Sequence, residues 1–131
     1  MTASEESKRK RVEIAKRLAL FFPGLEINDV PSGYTSLRVG TGPLTNCVTV
    51  SPNGQRASFL LSNPDLRQAI EAAGFEVREV KPNKIKAFAG SQWRVRGVSV
   101  PAIDQNEELF KRLVEESVRF IEEKRKRRIH G

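Results

Sequence analysis

"CVTVSPNGQRASFLL", residues 47–61, sets two runs of β-branched and apolar residues on either side of Asn53-Gly54. Asparagine followed by glycine supplies the left-handed backbone that a tight reversal needs, so the stretch reads as two antiparallel strands joined at 52–55. Upstream, "YTSLRV" (34–39) alternates and places Thr35, Leu37 and Val39 on one face, which predicts a third strand of the same sheet. Gly40, Gly42 and Pro43 mark the loop between them, and 23–33, with Asn28, Asp29, Pro31, Ser32 and Gly33, reads as a turn-rich connection.

Helical periodicity brackets this sheet. Val12, Ile14, Ala15, Leu18, Ala19, Phe21 and Phe22 share one side of a helix over 4–22, stopped by Pro23-Gly24. In "SNPDLRQAIEAAGF" (62–75), Ser62 or Asn63 can cap, Pro64 suits the first turn and Gly74 suits a left-handed stop. The small buried stripe Leu66, Ala69, Ile70 and Ala73 predicts close packing, and Phe75 is placed to fold back onto Ile70. "FEVREV" (75–80) reads as a fourth strand. Asp104 with Glu107 reads as a capping box before Leu109, Phe110, Leu113, Val114, Ser117, Phe120 and Ile121.

Between these lies "KPNKIKAFAGSQWRVRG" (81–97), read as a hairpin of strands 84–88 and 92–100 around Ala89-Gly90-Ser91. A two-residue loop would set Phe88 opposite Trp93 and mix Ile85 and Ala87 with Arg94 and Arg96, so neither face could enter a core. A loop of three or of five residues instead pairs Ala87 with Trp93 and Ile85 with Val95. Lys84, Lys86, Arg94 and Arg96 then gather opposite, with Phe88 beside them as a stacking candidate and Trp93 turned to the core. Beyond Arg96 the apolar positions change parity, which predicts a bulge at Gly97. The element order is α-βββ-α-βββ-α, an α+β class with a mainly antiparallel sheet and helices on one face.

The length of 131 residues fits one domain, with basic ends at 1–11 and 124–131 expected to fray. No apolar run approaches the length of a membrane span and the basic start has no signal-peptide centre, so a cytoplasmic location without membrane attachment is expected. A single Cys47 excludes an internal disulfide, and with one histidine it excludes a conventional Cys/His zinc site. The formal charge is +7 and is clustered. One block is Lys8, Arg9, Lys10 and Arg11, another is Lys124, Arg125, Lys126, Arg127 and Arg128, and the third is Arg78, Lys81, Lys84, Lys86, Arg94 and Arg96, with only Glu79 between them.

Pro64-Asp65 followed by Glu79-Val80-Lys81 matches the spacing of Mg²⁺-dependent PD-(D/E)xK nucleases, although Asp65 falls in a helical first turn rather than beside a strand. Gly40-Thr41-Gly42-Pro43 begins like a phosphate loop but leads to a strand, and Cys47 has no base beyond His130 near the chain end. No catalytic residue, metal site or cofactor is expected from these residues.

"LALFFPGLEINDVPSGYTSLRVG" (18–40), through Pro23, Gly24, Glu26, Gly33, Leu37 and Val39, resembles the MmcQ/YjbR family. "NPDLRQAI" is similar to its D-P-x-L-x-x-x-L segment, Trp93 to the tryptophan of its K-x-x-W-x-x-V strand, and "LFKRLVEESVRFI" to its L-x-x-L-I-x-x-S-Y helix. Gly40-Thr41-Gly42 replaces its basic G-K, and Val118 stands where it has tyrosine. The resemblance implies a CyaY-like sheet backed by helices and a "double-wing" DNA-binding role. The resulting expectation is a non-enzymatic protein that binds DNA or RNA through Lys84, Lys86, Phe88, Arg94 and Arg96 and both terminal blocks. The alternatives are a module for an acidic protein partner and, third, the nuclease.

Overall fold

The computed structural model describes residues 2–30, 33–42 and 44–130, the last four of these by backbone alone. The chain is α+β. A six-stranded antiparallel sheet carries its helices on one face, with the core between the two layers. In chain order the elements are α1 (Ala3–Ala19), β1 (Glu26–Asp29), β2 (Thr35–Arg38), β3 (Asn46–Val50), β4 (Arg56–Leu60), α2 (Pro64–Ala72), β5 (Glu76–Glu79), β6 (Gln92–Arg96), α3 (Val100–Gln105) and α4 (Glu107–His130).

The Asn53-Gly54 reversal is where the sequence puts it: Gly54 has φ +71°, and Thr49 and Val50 pair with Ser58 and Ala57. From it the sheet grows in the order β1-β2-β3-β4-β6-β5. The chain leaves β4 through α2, lays down β5 at the edge and returns as β6 between them. β4 and β5 are each antiparallel to β6 and therefore run in the same direction. Both edges are four-residue strands rich in charge, EIND and EVRE, a composition that discourages edge-to-edge association.

Each helix end follows from local chemistry. Thr2 Oγ1 accepts from Glu5 N–H at α1, and Asn63 Oδ1 accepts from Asp65 N–H at α2. α2 stops where Gly74 takes φ +94° and Phe75 N–H donates back to the Ile70 carbonyl, while the Phe75 ring meets Phe110 edge-on. Phe59, Phe110, Leu18, Leu37, Leu66, Ile70 and Ile121 lie fully buried between the layers. A polar tie holds α1 to the sheet: Arg11, 5% exposed, donates to Asp29, Thr35 Oγ1 and the Pro52 carbonyl.

Four expectations are corrected. Residues 26–29 form an edge strand, not part of a turn-rich connection; its single apolar residue, Ile27, gave no alternation to read. Residues 84–88 are not a strand. Asn83 Oδ1 accepts from Ile85 N–H, Lys86–Phe88 form a 3-10 turn, and the hairpin's true arms are β5 and β6, joined by 80–91 with a cis Lys81–Pro82 bond. Gly97, at φ +88°, ends β6 rather than bulging it. Ser99 then caps the short α3 by accepting from Ala102 N–H. Asp104 consequently sits inside α3 and, with Glu107, binds the Arg17 guanidinium of α1 at 2.8 Å instead of capping the last helix.

Candidate nucleic-acid interface

Strand pairing decides which side chains share the face of the sheet turned away from the helices. Arg96 lies directly opposite Arg56 on β4 and Glu76 on β5; Arg94 lies opposite Ser58 and Arg78. Two arginine pairs therefore stand side by side across adjacent strands, where opposing Cβ atoms are about 5 Å apart and like charges repel. Phe59, Val77, Trp93 and Val95, at the alternate positions, turn toward the helices.

A hollow of about 270 Å³ is lined by Arg56, Arg78, Arg94, Arg96 and Lys81 together with Glu76 and Glu79. Both carboxylates are engaged, Glu76 with Arg78 at 2.8 Å and Glu79 with Lys81 at 3.3 Å. Arg56, Arg94 and Arg96 have no ion-pair partner among the described residues, so the hollow carries three uncompensated guanidiniums. An oxyanion placed there could accept from several planar, fork-shaped donors at once.

The connection 80–91 borders this face at the start of β6. Asn83 Nδ2 donates to Gln92 Oε1, Leu61 N–H donates to the Ser91 carbonyl, and Ile85 and Phe88 line a cleft with Arg38, Asn28 and Asn46. Lys84 and Lys86 are exposed on this connection, not on a strand in register with Arg94 and Arg96.

Phe88 is not a stacking platform. It is 3% exposed and meets Phe120 of α4 edge-on, with ring centroids 6.0 Å apart, because a 3-10 turn presents it inward where a strand would have presented it outward. Trp93 is partly buried and packs against the core, with the Arg67 guanidinium 4.2 Å from its ring centroid. Its Nε1 and Arg67 Nε are buried without a hydrogen-bond partner among the described residues.

Among the described side chains the two terminal blocks lie at opposite ends of the sheet and do not merge. At the β3–β4 turn, Arg11 is consumed by Asp29, Lys8 stands 3.8 Å from the same carboxylate, and Arg9 pairs with Glu13 at 3.5 Å. Lys10 alone of that block lines a cavity together with Arg96. At the other end Arg125 donates to the Val39 and Thr41 carbonyls, Lys124 lies over the Phe120 ring and Lys126 is exposed; the side chains of Arg127 and Arg128 lie outside the described residues.

The structure thus brings Arg94 and Arg96 together with Arg78, which the sequence groups with them by charge but not as a phosphate contact, and with Arg56, which sequence reasoning did not select. The signal for Arg56 was present in "RASFLL", where it alternates with Ser58 away from Ala57 and Phe59, but only the β4–β6 pairing makes it a neighbour of Arg96.

Asp65 is exposed in the first turn of α2 and Glu79 is paired with Lys81. Among the described residues no group of three or more His, Cys, Asp or Glu side chains is placed to hold a metal ion, and no helix is long and apolar enough to cross a membrane. Compared with known proteins, the chain matches no family model, no curated protein and no solved structure.

Proposed function

We propose that this chain is a small non-enzymatic nucleic-acid-binding protein that lays a phosphodiester backbone along the open face of its sheet. Arg56, Arg78, Arg94 and Arg96 are the principal phosphate contacts, Lys84 and Lys86 extend the track at one end and Lys10 at the other. Kinship with the MmcQ/YjbR proteins, suggested by the motifs around Gly33, Trp93 and Ser117, forms part of the proposal.

The observation that carries it is the cluster of three uncompensated arginines that strand register forces together. Folding alone gives no return for such a cluster, since like charges opposite one another on a sheet destabilise it. A polyanion reverses the sign of the interaction and gains entropy by releasing its own condensed counterions. Phosphate contacts of this kind position a strand without reading its sequence.

The test is fluorescence anisotropy with duplex DNA, single-stranded DNA and structured RNA across a salt series. Four phosphates neutralised by the face correspond to a log-log salt slope of about −3 to −4. Changing Arg56, Arg78, Arg94 and Arg96 together to glutamine should remove about three units of that slope. Binding that survives this change unaltered would move the interface elsewhere, and absence of nucleic-acid binding alongside tight capture of an acidic polypeptide would assign the face to a protein partner.

A further inference from the structure

The arginine face does not end at Arg96. The same side chain borders a second and larger cavity, of about 440 Å³, where the sheet runs out between the β3–β4 turn, α1 and the start of α3. Its volume lies within the range of small-molecule sites. We infer that this cavity takes one unpaired nucleobase of the bound strand, an inference that rests on the nucleic-acid reading above and adds single-strandedness to it.

The walls present the three features a nucleotide needs in one place. Val100 and Pro101, over a floor formed by the buried Ile14 and Val98, provide apolar surface for the face of a base. Around it, Gln55 can both donate and accept, and Glu13, whose Oε1 pairs with the exposed Arg9, can accept through its second oxygen, which suits the mixed edge of a base freed from Watson–Crick pairing. Arg96 joins this cavity to the phosphate hollow, and Lys10 stands at its other side, so a nucleotide entering by its base keeps its phosphate against guanidinium and ammonium groups.

The cavity is held open by structure on two sides. Gly54 is packed against α1 so closely that an added Cβ would lie 2.9 Å from Lys10 Cβ and 3.2 Å from the Arg11 backbone nitrogen. That contact fixes the turn bearing Gln55 to the helix bearing Glu13. On the other side Gly97 N–H donates to the Gln55 carbonyl and the Ser99 hydroxyl caps α3, so the segment carrying Val98 and Val100 is fixed by one backbone and one side-chain bond. A paired base inside a duplex cannot reach such an end-of-sheet cavity without leaving its stack, whereas a base in a single strand can.

The experiment compares a trinucleotide with an abasic trimer of the same backbone and the same charge. The base-bearing trimer should bind at least tenfold more tightly, and in the double variant Glu13→Ala, Gln55→Ala the ratio should fall to within twofold. A second measurement does not depend on any variant. Adenosine monophosphate, unlike inorganic phosphate, should shift the methyl resonances of Ile14, Val98 and Val100 in the intact protein. Equal affinity for the two trimers, with salt-dependent binding of both, would overturn the base pocket and leave the arginine face standing. Failure of both trimers while long duplexes bind would overturn the pocket as well, and absence of binding to every nucleic acid would remove the reading on which it rests.

Discussion

Arg56 and Arg96 face one another directly across β4 and β6, and neither is in an ion pair among the described residues. Both residues are arginines on a face of the sheet where serine and threonine occur at other positions, Ser36, Thr49 and Ser58. Threonine at position 56 should therefore stabilise the free protein by about 0.5 kcal/mol at low ionic strength by relieving the cross-strand repulsion. The gain should shrink as salt screens the pair. Urea unfolding of wild type and Arg56→Thr at low and high salt reads this directly, and a variant less stable at low salt would show that the pair is not repulsive.

Asp29 is the second electrostatic junction and behaves in the opposite sense. Burial raises its pKa, but hydrogen bonds from Arg11 and Thr35 and the charges of Arg11 and Lys8 together outweigh burial and hold the carboxyl below its ordinary value of 3.8. A carboxylate whose pKa is lowered by folding contributes stability that is fully present above the ordinary value and is lost as pH falls through the lowered one. Wild type should therefore lose stability between neutrality and acid more steeply than Asp29→Asn. At neutral pH, Asp29→Ala should cost about 3 kcal/mol, because Arg11 stays buried with only the Thr35 hydroxyl and the Pro52 carbonyl. Denaturant unfolding at pH 7 and at acid pH, on both variants, checks magnitude and direction.

Cys47 follows from the same arithmetic of burial with no charge to offset it. The thiol is 2% exposed, its Sγ lies 3.4 Å from the Leu37 carbonyl, and desolvation pushes its pKa up to about 12. It should be inert to a thiol reagent at pH 8 in the folded protein and react at an ordinary rate in denaturant. Rapid native labelling would mean that the β2–β3 pairing, whose register shifts between Leu37 and Arg38, opens far more readily than its packing implies.

What the sequence made legible was whatever local chemistry determines. The Asn53-Gly54 turn, the Asn63 cap, the Gly74 stop and the apolar stripes of α1 and α4 each depend on residues a few positions apart, and each lies where it was expected, except that α1 ends at Ala19 and leaves Phe21 and Phe22 in the turn before Pro23. What it hid was partnership. Residues 84–88 have the alternation of a strand, but β4 lies beside β6, so no position next to β6 remains for them once β5 takes its other side. The same non-local choice buried Phe88, exposed Arg56 to Arg96, and left β1 to be recognised by pairing, since only Ile27 in it is apolar. The candidate site was half legible for this reason: Arg94 and Arg96 belong to one strand, whereas Arg56 and Arg78 reach them only through register.

Ser117 joins the two layers at a point where a sheet bond is missing. Its hydroxyl accepts from Leu60 N–H at 3.0 Å and donates to the Leu113 carbonyl one helical turn back at 2.7 Å, and the side chain is fully buried. β3 is irregular opposite β2 at this level and its regular pairing with β4 extends from Val48 with Phe59 to Val50 with Ala57, so the helix supplies the acceptor for Leu60. Alanine would preserve the helix and leave that amide dry and unpaired, which should destabilise the protein by about 1 to 3 kcal/mol. Threonine keeps the hydroxyl but adds a methyl group in a filled core, so it should recover only part of the loss. Hydrogen exchange at Leu60 discriminates bond loss from general loosening: in Ser117→Ala this amide should lose more protection than those of Thr49 and Val50, and a uniform loss across all three would show that the hydroxyl acts through packing alone.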